Sequence, residues 1–256
     1  MTALHMISLT VRLSALNRLT HVYGFDGDEG RMLHHALSEC FGKGVIQPFR
    51  LLPGRMGSSH GTLYGYSEIA QADLTQTARA CATPDGLQVF DLSSLASKPM
   101  PEVWRTDQHL AFDVRCVPVR RLLKPLPIWP AGDPDAPPIA YRKGAEVDVY
   151  LVDAMRRYPN GLPDDIDRLR LREALYLEWL ARQMPAVELV RPGTRVVGLT
   201  RARLVRERTA LTVPDVTIHG EFTIRDPEGF AHLLARGIGR HGAYGFGMLL
   251  LRPARG

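Results

Sequence analysis

The chain has 256 residues, 45% of them hydrophobic and 23% charged, a composition that excludes a disordered chain and leaves room for two small domains. No run of about 18 apolar residues is present, which excludes a membrane-spanning helix, and Met1–Val11 shows no basic-then-apolar leader, so a cytoplasmic location is expected. The net charge of +5 is local: residues 156–208 hold 12 Arg against 7 acidic residues, the footprint of a polyanion partner or, more blandly, of a solvated face laced with ion pairs.

Leu4–Arg12 alternates Ile7, Leu9 and Val11 with Ser8, Thr10 and Arg12, a strand period. Asp28–Phe41 is predicted helical: Met32, Leu33, Ala36, Leu37, Cys40 and Phe41 form one apolar stripe, and Gly42 stops it. Gln47–Leu52 and Thr62–Ser67 read as strands around the Gly/Ser loop Pro53–Gly61. Ala70–Ala80 reads as a helix and Gly86–Leu92 as a strand. Asp91–Pro101, rich in Ser and Pro, is the expected linker.

Leu110–Val119 then reads as a strand and Lys124–Pro138, with six prolines, as an irregular insertion. Asp164–Met184 is predicted helical. Arg195–Arg208 and Val213–Ile224 are strand-like around a break at Thr209–Thr212. Asp226 as N-cap, Pro227 at the first helical position and Gly237 as stop delimit a last helix, and Met248–Leu251 reads as a last strand. Both halves run β-α-β-β-α-β. The predicted fold class is therefore α+β, with tandem ferredoxin-like (βαββαβ) domains over residues 1–105 and 106–256. The second domain would carry the Pro-rich insertion, the Arg-rich helix and a terminal glycine-rich loop.

That loop, Gly237–Gly247, has five glycines in eleven residues. Gly237, Gly239 and Gly242 match GxGxxG, but they follow a helix and precede a strand. A dinucleotide fingerprint does the reverse, so no nicotinamide site is expected. Two readings stay open: backbone amides of Gly239 and Gly242, with Arg240 and His241, holding phosphate oxygens, or tight packing of the loop on a neighbouring helix. The nine His and three Cys (Cys40, Cys81, Cys116) show no metal-ligand spacing and no disulfide framework. No metal and no cofactor is expected.

The tail resembles the CRISPR RNA-processing endoribonucleases of the Cas-six group, in particular the CasE branch. Those proteins end in a helix, a loop of the form GIGxxxxxGxG and a short apolar strand; here stand Gly237-Ile238-Gly239, Gly245-Phe246-Gly247 and Met248–Leu251. Val216–Ile224 looks like the strand before that helix, Ala111–Lys124 like a strand entering a basic turn, and Glu173–Gln183 like the helix with a central Trp179. The likeness is good over 110–256. Over 1–105 it rests on the element order and one His motif.

The resemblance implies two ferredoxin-like domains and metal-independent cleavage of a CRISPR repeat at the base of a hairpin. The 2′-hydroxyl would attack its own phosphate and leave a 2′,3′-cyclic end. The mature crRNA would stay bound, and the chain would join the protein subunits of an effector complex of type I or divergent type IV. That chemistry needs a base, an acid and cations that steady the phosphorane. In the family a His on the first helix of the N-terminal domain serves, and His34 of Leu33-His34-His35-Ala36-Leu37 aligns with it. It borders the apolar stripe, while His35 points further into solvent. The other reading of His34 is a surface histidine on an amphipathic helix. Some relatives carry a Tyr three residues before that His. Here Arg31 stands there, able to stabilise the phosphorane but not to exchange a proton, and Tyr23 of the preceding loop is a substitute.

RNA contacts are expected from Arg120, Arg121 and Lys124, which end a strand. Arg168, Arg170 and Arg172 on a helix, and Arg201, Arg203, Arg206 and Arg208 on a strand, join them, with Gly239, Arg240, His241 and Gly242 of the loop. A-form RNA is read mainly by shape and phosphates, which suits arginine. Two further readings compete. One is a non-catalytic crRNA-binding subunit, which Arg31 at the Tyr position keeps open. The other is an unrelated ferredoxin-like enzyme holding a small phosphate ligand, which so many arginines argue against.

Overall fold

The alternation in the first residues forms a strand. β1 (His5–Arg12) buries Ile7, Leu9 and Val11 on one face. It is followed by α1 (Leu13–Val22), α2 (Glu29–Phe41), β2 (Phe49–Pro53), β3 (His60–Ser67), α3 (Gln71–Cys81), α4 (Pro84–Val89) and β4 (Phe90–Pro99). The structure, a computed structural model, describes residues 3–129, 140–206 and 209–254. The strands lie in the order β2-β3-β1-β4, every pair antiparallel. The predicted stripe of α2 (Met32, Leu33, Ala36, Leu37, Cys40 and Phe41) covers one face of this sheet.

The second half repeats the plan with additions: β5 (His109–Cys116), β6 (Val119–Arg121), β7 (Leu126–Pro127), β8 (Ala140–Tyr141), β9 (Glu146–Asp148), α5 (Val149–Arg157), α6 (Arg168–Gln183), β10 (Val187–Leu189), β11 (Arg195–Arg206), β12 (Thr209–Ile224), α7 (Pro227–Arg236) and β13 (Leu249–Pro253). Its sheet runs β11-β12-β5-β13, and the short β10 pairs with the far end of β12. Both sheets therefore have the ferredoxin-like strand order, as the tandem reading requires. The halves are joined by buried contacts: the Tyr66 hydroxyl donates to the Leu249 carbonyl at 2.8 Å, and Arg50 of β2 pairs with Asp113 of β5 at 2.5 Å.

Several boundaries differ from the expectation. Gly86–Leu92 is not one strand: the Thr83 hydroxyl accepts from the Gly86 N–H and Pro84 opens α4, so the strand begins only at Phe90. Asp91–Pro101 is not a linker, because most of it is β4 paired with β1. α1 and α5 have no counterpart among the predicted elements. α6 begins at Arg168 rather than Asp164, since the Asp167 carboxylate accepts from the N–H groups of Leu169 and Arg170. Thr209–Thr212 is strand, not a break. Of the Pro-rich insertion, residues 130–138 lie outside the described residues, while Leu126–Pro127 pairs with β8.

Candidate functional site

The first turn of α2 is built by short residues. Asp28 caps it, its Oδ1 accepting from the Arg31 N–H at 2.9 Å. Gly30 carries no Cβ, and one placed there would stand 2.2 Å from the Tyr244 carbonyl oxygen. The missing side chain lets the terminal glycine loop rest directly on the helix. One turn later His34 lies edge-on to the Tyr244 ring, with centroids 5.8 Å apart. Burial holds the His34 imidazole below the ordinary histidine pKa, and the charges of Lys43 and His35 add to the effect. A histidine lowered in this way is neutral near pH 7 and free to accept a proton.

The other two residues expected around His34 are placed differently. Tyr23 ends α1, and its ring lies 4.9 Å from that of His35. Its hydroxyl donates to Asp85 at 2.7 Å, which raises its pKa. His35 is half-buried, as His34 is, and its Nε2 lies 3.5 Å from Glu39. Arg31 has its guanidinium 4.3 Å over the Phe25 ring and donates to the Val205 carbonyl on β11. The ring against His34 is that of Tyr244, whose place inside a glycine run hides it in the sequence.

In the loop itself, packing explains the glycines. Gly247 has φ +79°, and a Cβ there would meet the Ile238 carbonyl oxygen at 2.3 Å, while Gly239 lies against the Trp179 ring of α6. Arg240 and His241 both turn to Glu146 of β9, at 2.8 and 3.0 Å. The His241 side chain is 0% exposed, so the expectation of a phosphate contact from it does not fit its placement. Gly242 opens the short turn Gly242–Tyr244 that delivers Tyr244 to α2.

The arginines come from distant segments, and two of them, Arg172 and Arg201, meet at one cavity. Arg120, Arg121 and Lys124 are exposed at β6, Arg168 and Arg170 on the first turn of α6, and Arg201 and Arg203 on β11. Arg172 is half-buried, stacked 4.2 Å over Tyr150. Arg172 and Arg201 line one cavity of about 530 Å³ together with Glu146, Asp148 and Tyr176. Burial raises the Asp148 pKa, although its carboxylate accepts from the Tyr150 N–H and the Tyr176 hydroxyl. Arg208 lies outside the described residues, and so does the side chain of Arg206.

A second cavity, about 480 Å³, opens between the halves beside Gly30, Leu33 and Tyr244. The arginines on its floor are committed: Arg50 to Asp113, and Arg115 through two bonds to Asp215. Among the described residues no three His, Cys, Asp or Glu side chains cluster to hold a metal ion, and no helix is long and apolar enough to cross a membrane.

A family model described as CRISPR associated protein matches residues 4–253. Thermus thermophilus Cse3, solved bound to an RNA representing a pre-cleavage complex, is similar at TM-score 0.61 and 19% identity over 98% of this chain and 100% of that one. The CRISPR-associated protein Cas6e from Escherichia coli is similar at TM-score 0.58 and 15% identity, over 97% and 100%. A chain of a CRISPR RNA-guided surveillance complex is similar at TM-score 0.53 and 14% identity, over 98% and 100%. A search of curated proteins by sequence found no match. These likenesses carry the fold, two ferredoxin-like units in one chain.

Proposed function

This chain belongs to the family of CRISPR-associated proteins, and from that premise we propose that it is a metal-independent endoribonuclease that cuts CRISPR precursor RNA within the repeat, at the base of a hairpin. The neutral His34 accepts the proton of the 2′-hydroxyl, the oxygen attacks the adjacent phosphorus, and the bond to the 5′-oxygen breaks. The products are a 2′,3′-cyclic phosphate and a 5′-hydroxyl. Tyr244, the ring beside His34, supplies the proton to the leaving oxygen. Arg120, Arg121, Lys124, Arg168, Arg170, Arg172, Arg201, Arg203, Arg206 and Arg208 hold the duplex by its phosphates. The crRNA stays bound, and the chain carries it into an effector complex with protein partners.

The observation that carries this reading is the meeting of His34 and Tyr244 at a helix start that also touches the arginine strand β11. The test is cleavage of the source genome's repeat hairpin in excess EDTA, with product ends analysed. His34→Ala is expected to lower the rate by about 10²- to 10⁴-fold at unchanged RNA affinity. Cleavage kept in that variant would move the role to His35 with Tyr23. A second reading is a non-catalytic crRNA-binding subunit, favoured by Arg31 at the position where relatives carry a Tyr. Tight binding with no cleavage by the wild type would establish it.

A further inference from the structure

β11 is the outer strand of its sheet, so alternate N–H and C=O groups along it have no neighbouring strand to pair with. At Val205, one residue before the strand's last, those groups are taken up by the start of α2. Asp28 Oδ2 accepts from the Val205 N–H at 2.7 Å, and the Arg31 guanidinium donates to the Val205 carbonyl at 2.5 Å. Two residues back, Arg203 donates to the Asp26 carbonyl at 3.1 Å and its stem packs on Gly27. Asp28 is only 3% exposed, and both Val205 bonds involve a charged partner, which makes them short and directional. Phe25 braces Arg31 from the other side.

We infer that Asp28 and Arg31 are positioning residues: they lock the end of the β11 hairpin to the first turn of α2 and so set which phosphodiester reaches His34. The inference rests on the proposed cleavage at α2. The hairpin end carries the arginines assigned to the duplex, and His34 lies one helical turn beyond Arg31. A duplex held by β11 is therefore presented to His34 at a distance that the clamp fixes. With the clamp open the duplex stays bound, but its strand arrives out of register. A shift of about 1 Å can cost on the order of 100-fold in rate.

The test needs variants that break the clamp and spare the helix. Asp28→Ser keeps a capping oxygen for the Arg31 N–H but has no second oxygen to reach Val205. Arg31→Met keeps an unbranched stem on Phe25 and loses the donor. Each is compared with wild type on the repeat hairpin for affinity, single-turnover rate and position of the cut, and by hydrogen exchange over residues 203–206.

The expected result is affinity kept within about threefold, rate lowered about 10- to 100-fold, cuts spread over neighbouring positions, and faster exchange in that segment. An unchanged rate with a single cut position overturns the inference. So does a loss of affinity that accounts for the whole loss of rate. If wild type does not cut, the reading of the chain as a nuclease fails, and hydrogen exchange alone decides the clamp. Faster exchange at 203–206 with α2 protected then supports it, and unchanged exchange overturns it.

Discussion

Two hairpins occupy the same slot in the two halves and are built differently. β2–β3 pairs over five residues and closes through an exposed Gly/Ser loop. β11–β12 pairs over eleven, so it runs past the sheet it belongs to. The arginine on the paired strands of the short hairpin, Arg50, is buried and bonded to Asp113 across the junction of the halves. Arg201 and Arg203 of the long one are exposed. Strand order is thus set by the fold, while the length of one hairpin and the exposure of its cations set what it can touch. Arginine content alone would not separate the two.

The largest expected effect tests the structural arginine. Among the described residues, Arg50→Met leaves Asp113 one ion-pair partner, His219, 3.2 Å away. Breaking a buried pair costs about 3–5 kcal/mol. Asp113 is 25% exposed, so a destabilisation of about 2–3 kcal/mol is expected, read by denaturant unfolding. RNA affinity in the folded fraction stays the same. If the salt dependence of binding drops instead, Arg50 belongs with the RNA arginines and the contrast between the hairpins fails.

Next is the seat of the glycine loop. Alanine at position 30 would gain about 1 kcal/mol in helix propensity. Its Cβ would also press at 2.2 Å on the Tyr244 carbonyl, a backbone atom that cannot swing away. Overpacking of this kind costs about 1–3 kcal/mol, so the clash wins. Gly30→Ala is expected to lower stability by about 1 kcal/mol and to lower cleavage more than RNA binding, because it pushes Tyr244 from His34. A more stable Gly30→Ala protein with full activity would show that the loop does not need this seat.

Much of the fold is legible in the residues themselves. The alternation at Ile7, Leu9 and Val11 and the stripe on Asp28–Phe41 report burial directly, and burial is what selects strand or helix. α1 escapes notice because Arg12 precedes it and supplies no capping bond. α4 is different, since Thr83-Pro84 announces it: the Thr83 cap and Pro84 at the first position are a start signal, masked by the strand-like run that follows. Prolines and serines make Asp91–Pro101 look like a linker, yet an edge strand such as β4 tolerates both. The site is less legible. His34 and the arginines stand out by type, but the pairing of His241 with Glu146 spans 95 residues and that of Asp28 with Val205 spans 177. No local spacing encodes such contacts.

The arginines proposed to hold the duplex give a smaller and more specific signal. Arg201→Ala with Arg203→Ala removes two exposed cations from β11. Each arginine that no longer neutralises a phosphate should reduce the slope of log affinity against log salt by about 1, so the pair should reduce it by about 2 and weaken binding most at low salt. Arg55→Ala, in the exposed loop of the short hairpin, is the matched control and should leave the slope alone. Equal effects from both would mean the RNA is held by net charge rather than by the long hairpin.

The smallest effect separates the two histidines of α2. A base works when neutral, so cleavage by His34 should rise with pH through its own pKa and then level. That pKa lies below the ordinary histidine value, first because the ring is buried and then because Lys43 and His35 repel its charged form. The rising limb should therefore lie below that of a solvent-exposed histidine. Lys43→Gln removes one repelling charge, so the limb should move up in pH. Lys43 is exposed, and salt screens an exposed charge over about 10 Å at 0.1 M, so the upward shift should be visible at low salt and fade as salt is raised. A limb that ignores Lys43 at every salt concentration would place the titrating base elsewhere. His35, set against Tyr23 and Glu39 on the neighbouring face, would be the group to examine.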